Sequence, residues 1–314
     1  MTFSITILGT SSALPTVNKN PSAHALNVHE QIFLLDCGEG TQQQLVRAGI
    51  SPMQVNAVFI THLHGDHVYG IWGLISTLGL LGRRTPLTIY APRPFDEILE
   101  NHIKYFDNNL PFKVIWEEVK TREHNKIFEN KVMEVWTVPL RHRVPCAGYL
   151  IKEKTPSKNI LKHMIERYKL SLAQIVKAKN GEDITLDDGS VIPNSELTYT
   201  PYNGRSYAYL SDTEYSAKAV EIVKGVDVLY HEATYMNVDK ARAKQTGHTT
   251  TAQAAKAAQT AGAKRLIIGH LSSRYRGDLS DYLKEAQEVF ENTNLAREGE
   301  TITIPIEKLG PHYE

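Results

Sequence analysis

The strongest constraint on this chain is a cluster of three histidines and one aspartate within residues 62–67, HLHGDH. Only Thr61 separates the cluster from the apolar stretch AVFI at residues 57–60, which predicts a buried β-strand. Residues two apart in an extended turn point the same way, so His62 and His64 can approach one metal ion together. The glycine then permits a sharp reversal, after which Asp66 and His67 can face a second ion from the next helix. Because imidazole and carboxylate groups are good zinc ligands, the cluster predicts a metal site at a strand end.

A structural interpretation of the same residues is a helix start capped by Asp66, with the histidines on the surface. It explains the aspartate but gives no reason for three histidines in six residues. Composition alone rarely supplies such a cluster, so metal binding is the favoured hypothesis.

Segments with strand and helix periodicity alternate along most of the chain, which indicates a layered α/β fold. Strands are predicted over residues 3–8, 31–36, 57–61, 87–91, 113–119, 131–138, 206–211, 227–231, 265–269 and 301–304. Helices are predicted over residues 41–48, 66–81, 94–105, 214–224, 250–261 and 282–291. Polar residues follow several strands, where layered α/β folds build their sites, namely Asp36, His62, His142, Asp212, His231 and His270. We therefore expect helix-covered sheets in two halves, with the site along the sheet edge.

The charge balance limits how this chain can hold a nucleic acid. Thirty-five basic residues balance 35 acidic ones, which excludes a uniformly basic surface and leaves only a local patch. Residues 152–179 supply such a patch, with eight basic and two acidic side chains and a local net charge of +6. Residues 152–200 also lack clean strand periodicity, so we expect an insertion that projects from the core. The alternative is a solvated surface helix, which is what charge runs usually form.

The composition and the first residues also indicate the cellular compartment of the protein. Cys37 and Cys146 are the only cysteines, which excludes a disulfide scaffold. The apolar segment 68–81 is short and broken by glycines, so it predicts a buried helix and no membrane association. The first residues lack the pattern of a signal peptide, and we expect a cytoplasmic protein.

HxHxDH after a short apolar strand resembles the signature of the metallo-β-lactamase superfamily. That resemblance implies an αβ/βα sandwich, with residues 1–314 as a single domain and residues 152–200 inserted in it. It also implies two zinc ions per subunit. One zinc would be held by His62, His64 and His142, the other by Asp66, His67 and His270, and Asp212 would bridge them.

Four further segments resemble the ribonuclease Z family, whose members remove the 3′ trailer from precursor tRNA. They are GTSSALP at residues 9–15, DCGEGTQ at 36–42, HEAT at 231–234 and GHTT at 247–250. Each also has a plainer explanation in turn and capping chemistry; Thr250 and Gln253, for example, fit a capping box. The resemblance extends from about residue 5 to about residue 274.

The ribonuclease Z resemblance implies roles for particular residues. Asp66 would orient the attacking water or take its proton, and His248, held by Glu232, would protonate the departing 3′ oxygen. Arg274 would clamp a phosphate. Residues 152–200 would form an arm that grips precursor tRNA, through side chains that include Lys158, Lys162, Lys169 and Lys177. A homodimer is also implied.

The arm departs from the family pattern at one place. The family's arm commonly carries a Gly-Pro-rich segment where this chain has residues 171–175, SLAQI. The resemblance therefore does not fix the conformation of the arm.

Two other functions remain open from the sequence. One is a small-molecule hydrolase of the same superfamily, acting on a phosphodiester or thioester; Glu232, His248 and the basic arm weigh against it. The other is a catalytically silent RNA-binding scaffold, which would normally have lost metal ligands. All seven candidate ligands are present here.

Overall fold

The computed structural model describes residues 1–14, 16–17, 19–107, 109–275 and 277–310. Pro15, the last residue of the GTSSALP segment, lies outside the described residues. The chain divides into two compact units. The first comprises Met1–Lys152 and Ser206–Ile304; the second comprises Glu153–Arg205 and the segment that starts at Pro305.

The bounds of the elements are as follows. The strands are β1 (Phe3–Gly9), β2 (Ala23–Val28), β3 (Gln31–Leu35), β4 (Val55–Phe59), β5 (Leu87–Ala91), β6 (Val114–Glu118), β7 (Lys126–Glu129), β8 (Met133–Pro139), β9 (Ala147–Glu153), β10 (Asn159–Ile160), β11 (Ile184–Thr185), β12 (Val191–Ile192), β13 (Thr198–Tyr199), β14 (Ser206–Leu210), β15 (Val228–Glu232), β16 (Arg265–Gly269), β17 (Thr293–Leu295) and β18 (Thr301–Thr303). The helices are α1 (Thr41–Arg47), α2 (Gly65–Val68), α3 (Gly70–Leu80), α4 (Phe95–Phe106), α5 (Lys162–Tyr168), α6 (Leu172–Lys179), α7 (Asn194–Leu197), α8 (Ala217–Ile222), α9 (Lys240–Thr246), α10 (Thr251–Ala261) and α11 (Ser280–Gln287).

The first unit is built on two sheets, each of seven strands within the described residues. Their orders are β18-β1-β2-β3-β4-β5-β6 and β17-β16-β15-β14-β9-β8-β7. Buried side chains from both sheets, such as Phe33 and Tyr207, pack together in one core. The outer face of the first sheet packs against α1, α3 and α4, and that of the second against α8, α10 and α11. The predicted αβ/βα sandwich is confirmed.

Except for β8, which precedes His142, the strands that precede the predicted site residues lie in a block of parallel strands in each sheet. β3, β4, β5 and β6 are parallel neighbours in the first sheet, as are β14, β15, β16 and β17 in the second. Parallel strands end at the same edge of a sheet, which brings the residues that follow them together.

Some elements differ from those that the sequence predicts. β2 was not predicted because His24 and Asn27 interrupt its apolar pattern; His24 is nevertheless buried, 2.8 Å from the Tyr207 hydroxyl through its Nδ1. The predicted helix over residues 66–81 is two helices, α2 and α3. At Gly70, where α3 begins, a Cβ atom would lie 1.9 Å from the Gly38 carbonyl oxygen, so only glycine allows this close approach. No helix in the described ranges is long and apolar enough to cross a bilayer.

The second unit has its own small core. Leu170, Ala178, Ile184 and Leu197 are buried together in it. α6 begins at a capping box between Ser171 and Gln174. Residues 171–175, which differ from the Gly-Pro-rich pattern of the family, therefore form the start of a regular helix.

Glu153 and Arg205, the first and last residues of the main segment of the second unit, are buried and paired. The Arg205 Nε and Nη2 atoms each lie 2.8 Å from a carboxylate oxygen of Glu153. The Glu153 N–H also donates to the Arg205 carbonyl at 2.8 Å. A bidentate pair of this kind is charge-assisted and directional, so it holds the ends of this segment in fixed register.

Candidate metal centre

Three non-glycine residues turn the chain sharply where buried strands end. Asp36 follows β3 with a φ of 57°, Asp212 lies just beyond β14 with a φ of 40°, and His270 follows β16 with a φ of 60°. Aspartate and histidine are uncommon but tolerated in this left-handed region, and buried residues held there often serve a site. All three side chains are buried at the sheet edge.

One group of side chains gathers around the first part of the HLHGDH segment. The His64 Nδ1 atom lies 2.9 Å from His62 Nε2 and 3.4 Å from His142 Nε2. The Asp212 Oδ2 atom completes the group, at 3.5 Å from His62 Nε2 and 3.7 Å from His142 Nε2. These are the residues predicted to share the first ion.

A second group lies on the other side of Asp212. The Nε2 atoms of His67 and His270 are 3.4 Å apart, and each is close to Asp66 Oδ2, at 3.5 and 3.6 Å. The Asp212 Oδ1 atom is 3.3 Å from His67 Nε2 and 3.0 Å from His270 Nε2. The two oxygens of one carboxylate therefore face different groups, as a bridging ligand would.

The spacing and chemistry of these atoms fit metal ions. Ligand atoms about 2.0–2.1 Å from a tetrahedral zinc ion lie about 3.3 Å from one another. The separations quoted above run from 2.9 to 3.7 Å and involve only imidazole nitrogens and carboxylate oxygens. Both groups can therefore hold a divalent cation of zinc's size.

The outward nitrogens of four of the imidazoles are held by acceptors, which aims Nε2 at the centre. The Nδ1 of His67 donates to Asp36 at 2.7 Å, and that of His142 donates to the Gly247 carbonyl at 2.9 Å. The Nδ1 atoms of the other two donate to hydroxyls at 3.0 Å, His62 to Thr61 and His270 to Thr234. Metal-ligating histidines almost always carry such a partner.

Asp36 is the hub of this support on the first sheet. Besides His67, its carboxylate accepts the Thr61 N–H at 2.8 Å and the Tyr209 hydroxyl at 3.0 Å. Burial alone would lower the pKa of His67, but Asp212, Asp36 and Asp66 raise it well above its usual value. The same excess of negative charge favours a bound cation.

His248 and Glu232 form a hydrogen-bonded pair next to the cluster. His248 Nδ1 lies 2.9 Å from Glu232 Oε1, and Glu232 is fully buried. Although burial lowers the pKa of His248, the Glu232 carboxylate outweighs it and raises this pKa to about 9. One nitrogen of His248 lies within 4.8 Å of ligand atoms of Asp212 and His270.

Sequence reasoning gave no role to three residues that support the site. Asp36 was recognised as a strand-end carboxylate but not as the partner of His67. Thr234 joins Glu232 to His270, because its hydroxyl donates to Glu232 Oε2 at 2.8 Å and accepts from the His270 ring. Tyr209 had no local signal at all, since it lies inside a strand and meets Asp36 only through the packing of the two sheets.

The structure gives the remaining predicted residues other partners or an exposed position. His231 is buried in β15, 2.7 Å from the Glu232 carbonyl oxygen through its Nδ1. The Arg274 guanidinium lies 3.2 Å from Asp239 Oδ1, and the Lys158 ammonium lies 2.6 Å from Asn194 Oδ1 within the second unit. The other predicted arm residues are exposed in the second unit, namely Lys162, Lys169 and Lys177.

Comparison with known proteins agrees with this geometry. The family described as Beta-lactamase superfamily domain matches residues 174–271, and the family described as Anti-Pycsar protein Apyc1 matches residues 3–158. Ribonuclease Z of Bacteroides thetaiotaomicron is 44% identical over 302 residues, which cover 96% of this chain and 95% of that protein. Ribonuclease Z of Phocaeicola vulgatus is 41% identical over 309 residues, covering 98% and 99%. Human tRNase Z, short form, superposes with a TM-score of 0.71 at 26% identity, covering 96% of this chain and all of that one. The metallo-β-lactamase fold is thereby confirmed.

We expect Asp36→Asn to weaken metal binding by about 10–100-fold, because the amide cannot replace the carboxylate that accepts from His67. Asparagine tolerates the positive φ at this position, so the backbone should be retained. Titration with Zn²⁺ against a chelating dye measures the effect. Glu221→Gln, which changes an exposed carboxylate of α8, is the matched control. Wild-type affinity in Asp36→Asn would contradict the supporting role of Asp36.

Proposed function

The chain belongs to the ribonuclease Z family, and on that premise we propose that it removes the 3′ trailer of precursor tRNA. The product carries a 3′-hydroxyl on the tRNA. The observation that carries the proposal is the pair formed by His248 and the buried Glu232 beside a seven-residue His/Asp cluster. Together they provide a metal centre and a separate proton donor, which cleavage at a ribose oxygen requires.

We propose two zinc ions as the cofactors, one in each group of the cluster, with Asp212 between them. When bound, such ions make a hydroxide available near neutral pH and stabilise the charge of the reacting phosphate. The support is the donor chemistry, the separations close to those of tetrahedral ligands, and the outward hydrogen bonds of the imidazoles.

We propose that Asp66 orients the attacking water. Its Oδ2 atom accepts the Ala13 N–H at 2.7 Å, which fixes the carboxylate. Burial would raise the pKa of Asp66, but His67 and His270 hold it well below its usual range. The carboxylate therefore stays ionised at neutral pH and acts as a hydrogen-bond acceptor for water.

His248 supplies the proton for the leaving group. As the water oxygen bonds to phosphorus, the bond from phosphorus to the 3′ oxygen breaks, and that oxygen needs a proton to leave. With Nδ1 held by Glu232 and a pKa of about 9, His248 is protonated at neutral pH and can donate through Nε2. Thr213 and Thr249 hold Glu232 in place, because their N–H groups donate to its Oε1 atom at 3.1 and 3.0 Å.

We propose that the second unit grips tRNA through its exposed lysines. Lys162, Lys169 and Lys177 are exposed, and the segment they belong to has a local net charge of +6 on a neutral chain. Lysines bind phosphates without reading sequence, which suits a substrate recognised by shape. Lys158 contributes less in this proposal, because Asn194 already accepts from its ammonium group.

We further propose a homodimer in the cytoplasm. Leu80 at the end of α3 and Phe106 at the end of α4 are 89% and 78% exposed and line one depression with Leu110. Exposed apolar surface of this kind often marks an interface. Both cysteines are free and buried, which suits a reducing compartment.

The function is tested by incubating the purified chain with a trailer-bearing precursor tRNA and mapping both new ends. We expect one cut after the acceptor stem, with a 3′-hydroxyl on the tRNA, and loss of cutting when a chelator removes the metal. Restoration by Zn²⁺ or Mn²⁺ identifies the metal that supports catalysis. Turnover of thioesters or small phosphodiesters without any cut in the RNA would favour the small-molecule alternative.

His248→Ala should slow cleavage of the RNA by about 10²–10⁴-fold while metal content is retained, because a ribose oxygen leaves poorly without a proton. A p-nitrophenyl phosphodiester has a leaving group that needs little protonation, so its hydrolysis should fall much less. Turnover of both substrates and metal analysis of both proteins provide the measurement. Equal losses on the two substrates would exclude a general-acid role.

Replacing Lys162, Lys169 and Lys177 by alanine should raise KM for precursor tRNA with little change in kcat. Each lost phosphate contact should lower the slope of log K against log [salt] by about 0.7–0.9. Lys218, Lys224 and Lys256 are exposed lysines of the first unit, and their triple alanine variant is the charge-matched control. An unchanged salt slope in the first variant would refute the proposed arm.

Leu80→Glu combined with Phe106→Glu should convert the proposed dimer into a monomer, because burying two carboxylates in an apolar contact is costly. Sedimentation velocity of both proteins measures the mass. A monomeric wild-type chain would eliminate the dimer.

A further inference from the structure

A cavity of about 400 Å³ opens beside His248 in the first unit. Its wall includes Glu214, Tyr215, Lys240, Lys244 and Gln253. Cavities of at least this volume can hold a small ligand, and a few polar groups around an aromatic side chain are typical of binding sites. The metal cluster and the proton donor do not by themselves explain this space.

The groups in the wall match one nucleotide. Tyr215 offers a ring against which a base can stack, and it is held by its neighbours: the Glu214 N–H donates to the Arg141 carbonyl, and Ser216 caps α8. Lys240 and Lys244 are one turn apart on α9, so their ammonium groups can reach one phosphate from the same helix face. An aromatic ring combined with cations is the usual way to bind single-stranded nucleic acid.

The position of His248 identifies the nucleotide that the cavity would bind. It lines the cavity and also approaches Asp212 and His270 of the cluster. Its proton goes to the 3′ oxygen that leaves, and that oxygen belongs to the nucleotide on the 5′ side of the cut. The ribose of that nucleotide must therefore lie within hydrogen-bonding reach of His248.

We propose that this cavity binds the nucleotide on the 5′ side of the cut, the last tRNA nucleotide of the product, with its base on Tyr215 and its 5′ phosphate on Lys240 and Lys244. The inference rests on the proposed function. It makes Tyr215 a residue that positions the acceptor end, so that the bond to be broken lies between the cluster and His248. Glu214 and Gln253 add hydrogen-bonding groups around the base.

The proposal is tested by pairing protein variants with RNA variants. Three precursor tRNAs are compared: an unmodified one, one with an abasic last tRNA nucleotide, and one with an abasic first trailer nucleotide. Tyr215→Leu retains an apolar side chain of similar packing but removes the aromatic face. Arg242→Ala removes a positive charge from the same helix at a residue outside the cavity wall, and is the control for Lys244→Ala.

On unmodified RNA we expect Tyr215→Leu to lower kcat/KM by about 5–150-fold, which is the loss expected for one base–aromatic stack. The abasic last tRNA nucleotide should cause a similar loss in the wild type and no further loss in Tyr215→Leu, because both changes remove the same contact. The abasic trailer nucleotide should act independently of Tyr215. Lys244→Ala should lower the slope of log K against log [salt] for RNA binding by about 0.7. Arg242→Ala should change that slope by less.

Independent, multiplicative effects of Tyr215→Leu and the abasic last nucleotide would overturn the proposal, as would coupling to the trailer nucleotide. Thermal melting of each variant separates loss of binding from loss of folding, and Lys244→Ala tests the same cavity if Tyr215→Leu melts early. If the wild-type chain cleaves precursor tRNA but Tyr215 and the last tRNA nucleotide show no coupling, the proposed function stands and only this binding site is refuted. If the wild-type chain cleaves no precursor tRNA, the proposed function itself is refuted.

Discussion

The rest of the site depends on the position of the Asp212 carboxylate. Its two oxygens face two different groups of imidazoles, at 3.0 Å from His270 and 3.5 Å from His62. This requires the end of β14 in one sheet to meet the end of β4 in the other. The packing of the two sheets, with aromatic side chains such as Phe59 and Tyr149 between them, is therefore a condition for the chemistry.

The cost of assembling this centre explains how it is built. Asp36, Asp212 and Glu232 are buried carboxylates, and isolated buried charges cost several kcal/mol each unless they are paired and hydrogen-bonded. Asp36 and Glu232 meet that requirement with backbone N–H groups, hydroxyls and histidines. The seven-residue cluster itself has mostly imidazole and carboxylate atoms as neighbours, and bound cations would complete its electrostatic balance. The surrounding fold holds the donors in place before any ion arrives.

The part of the fold and site that could be predicted from the sequence depended on how far apart the contacting residues lie along the chain. The HLHGDH segment is local, so its spacing alone predicted metal ligands, while His142, Asp212 and His270 could be ordered only through a family resemblance. Alternating strand and helix periodicity predicted helix-covered sheets in two halves, and the family resemblance implied the αβ/βα sandwich. Strand β2 was missed because His24 is a polar residue buried in the core. Tyr209 was missed because its partner Asp36 lies far away in the chain, and no local pattern marks a tyrosine inside a strand as part of a site.

The fold alone does not decide the substrate, because the same sandwich hosts several hydrolytic activities. The leaving group separates thioesters from phosphodiesters. A thiolate leaves without a proton, so a thioester hydrolase gains little from a buried carboxylate that keeps a histidine protonated. A ribose alkoxide is a poor leaving group and gains several orders of magnitude from a positioned acid. Glu232 is fully buried and accepts hydrogen bonds from the backbone of Thr213, Thr234 and Thr249 in addition to His248. An arrangement of that cost is explained by a reaction in which proton donation to the leaving oxygen limits the rate, and cleavage of an RNA phosphodiester is such a reaction.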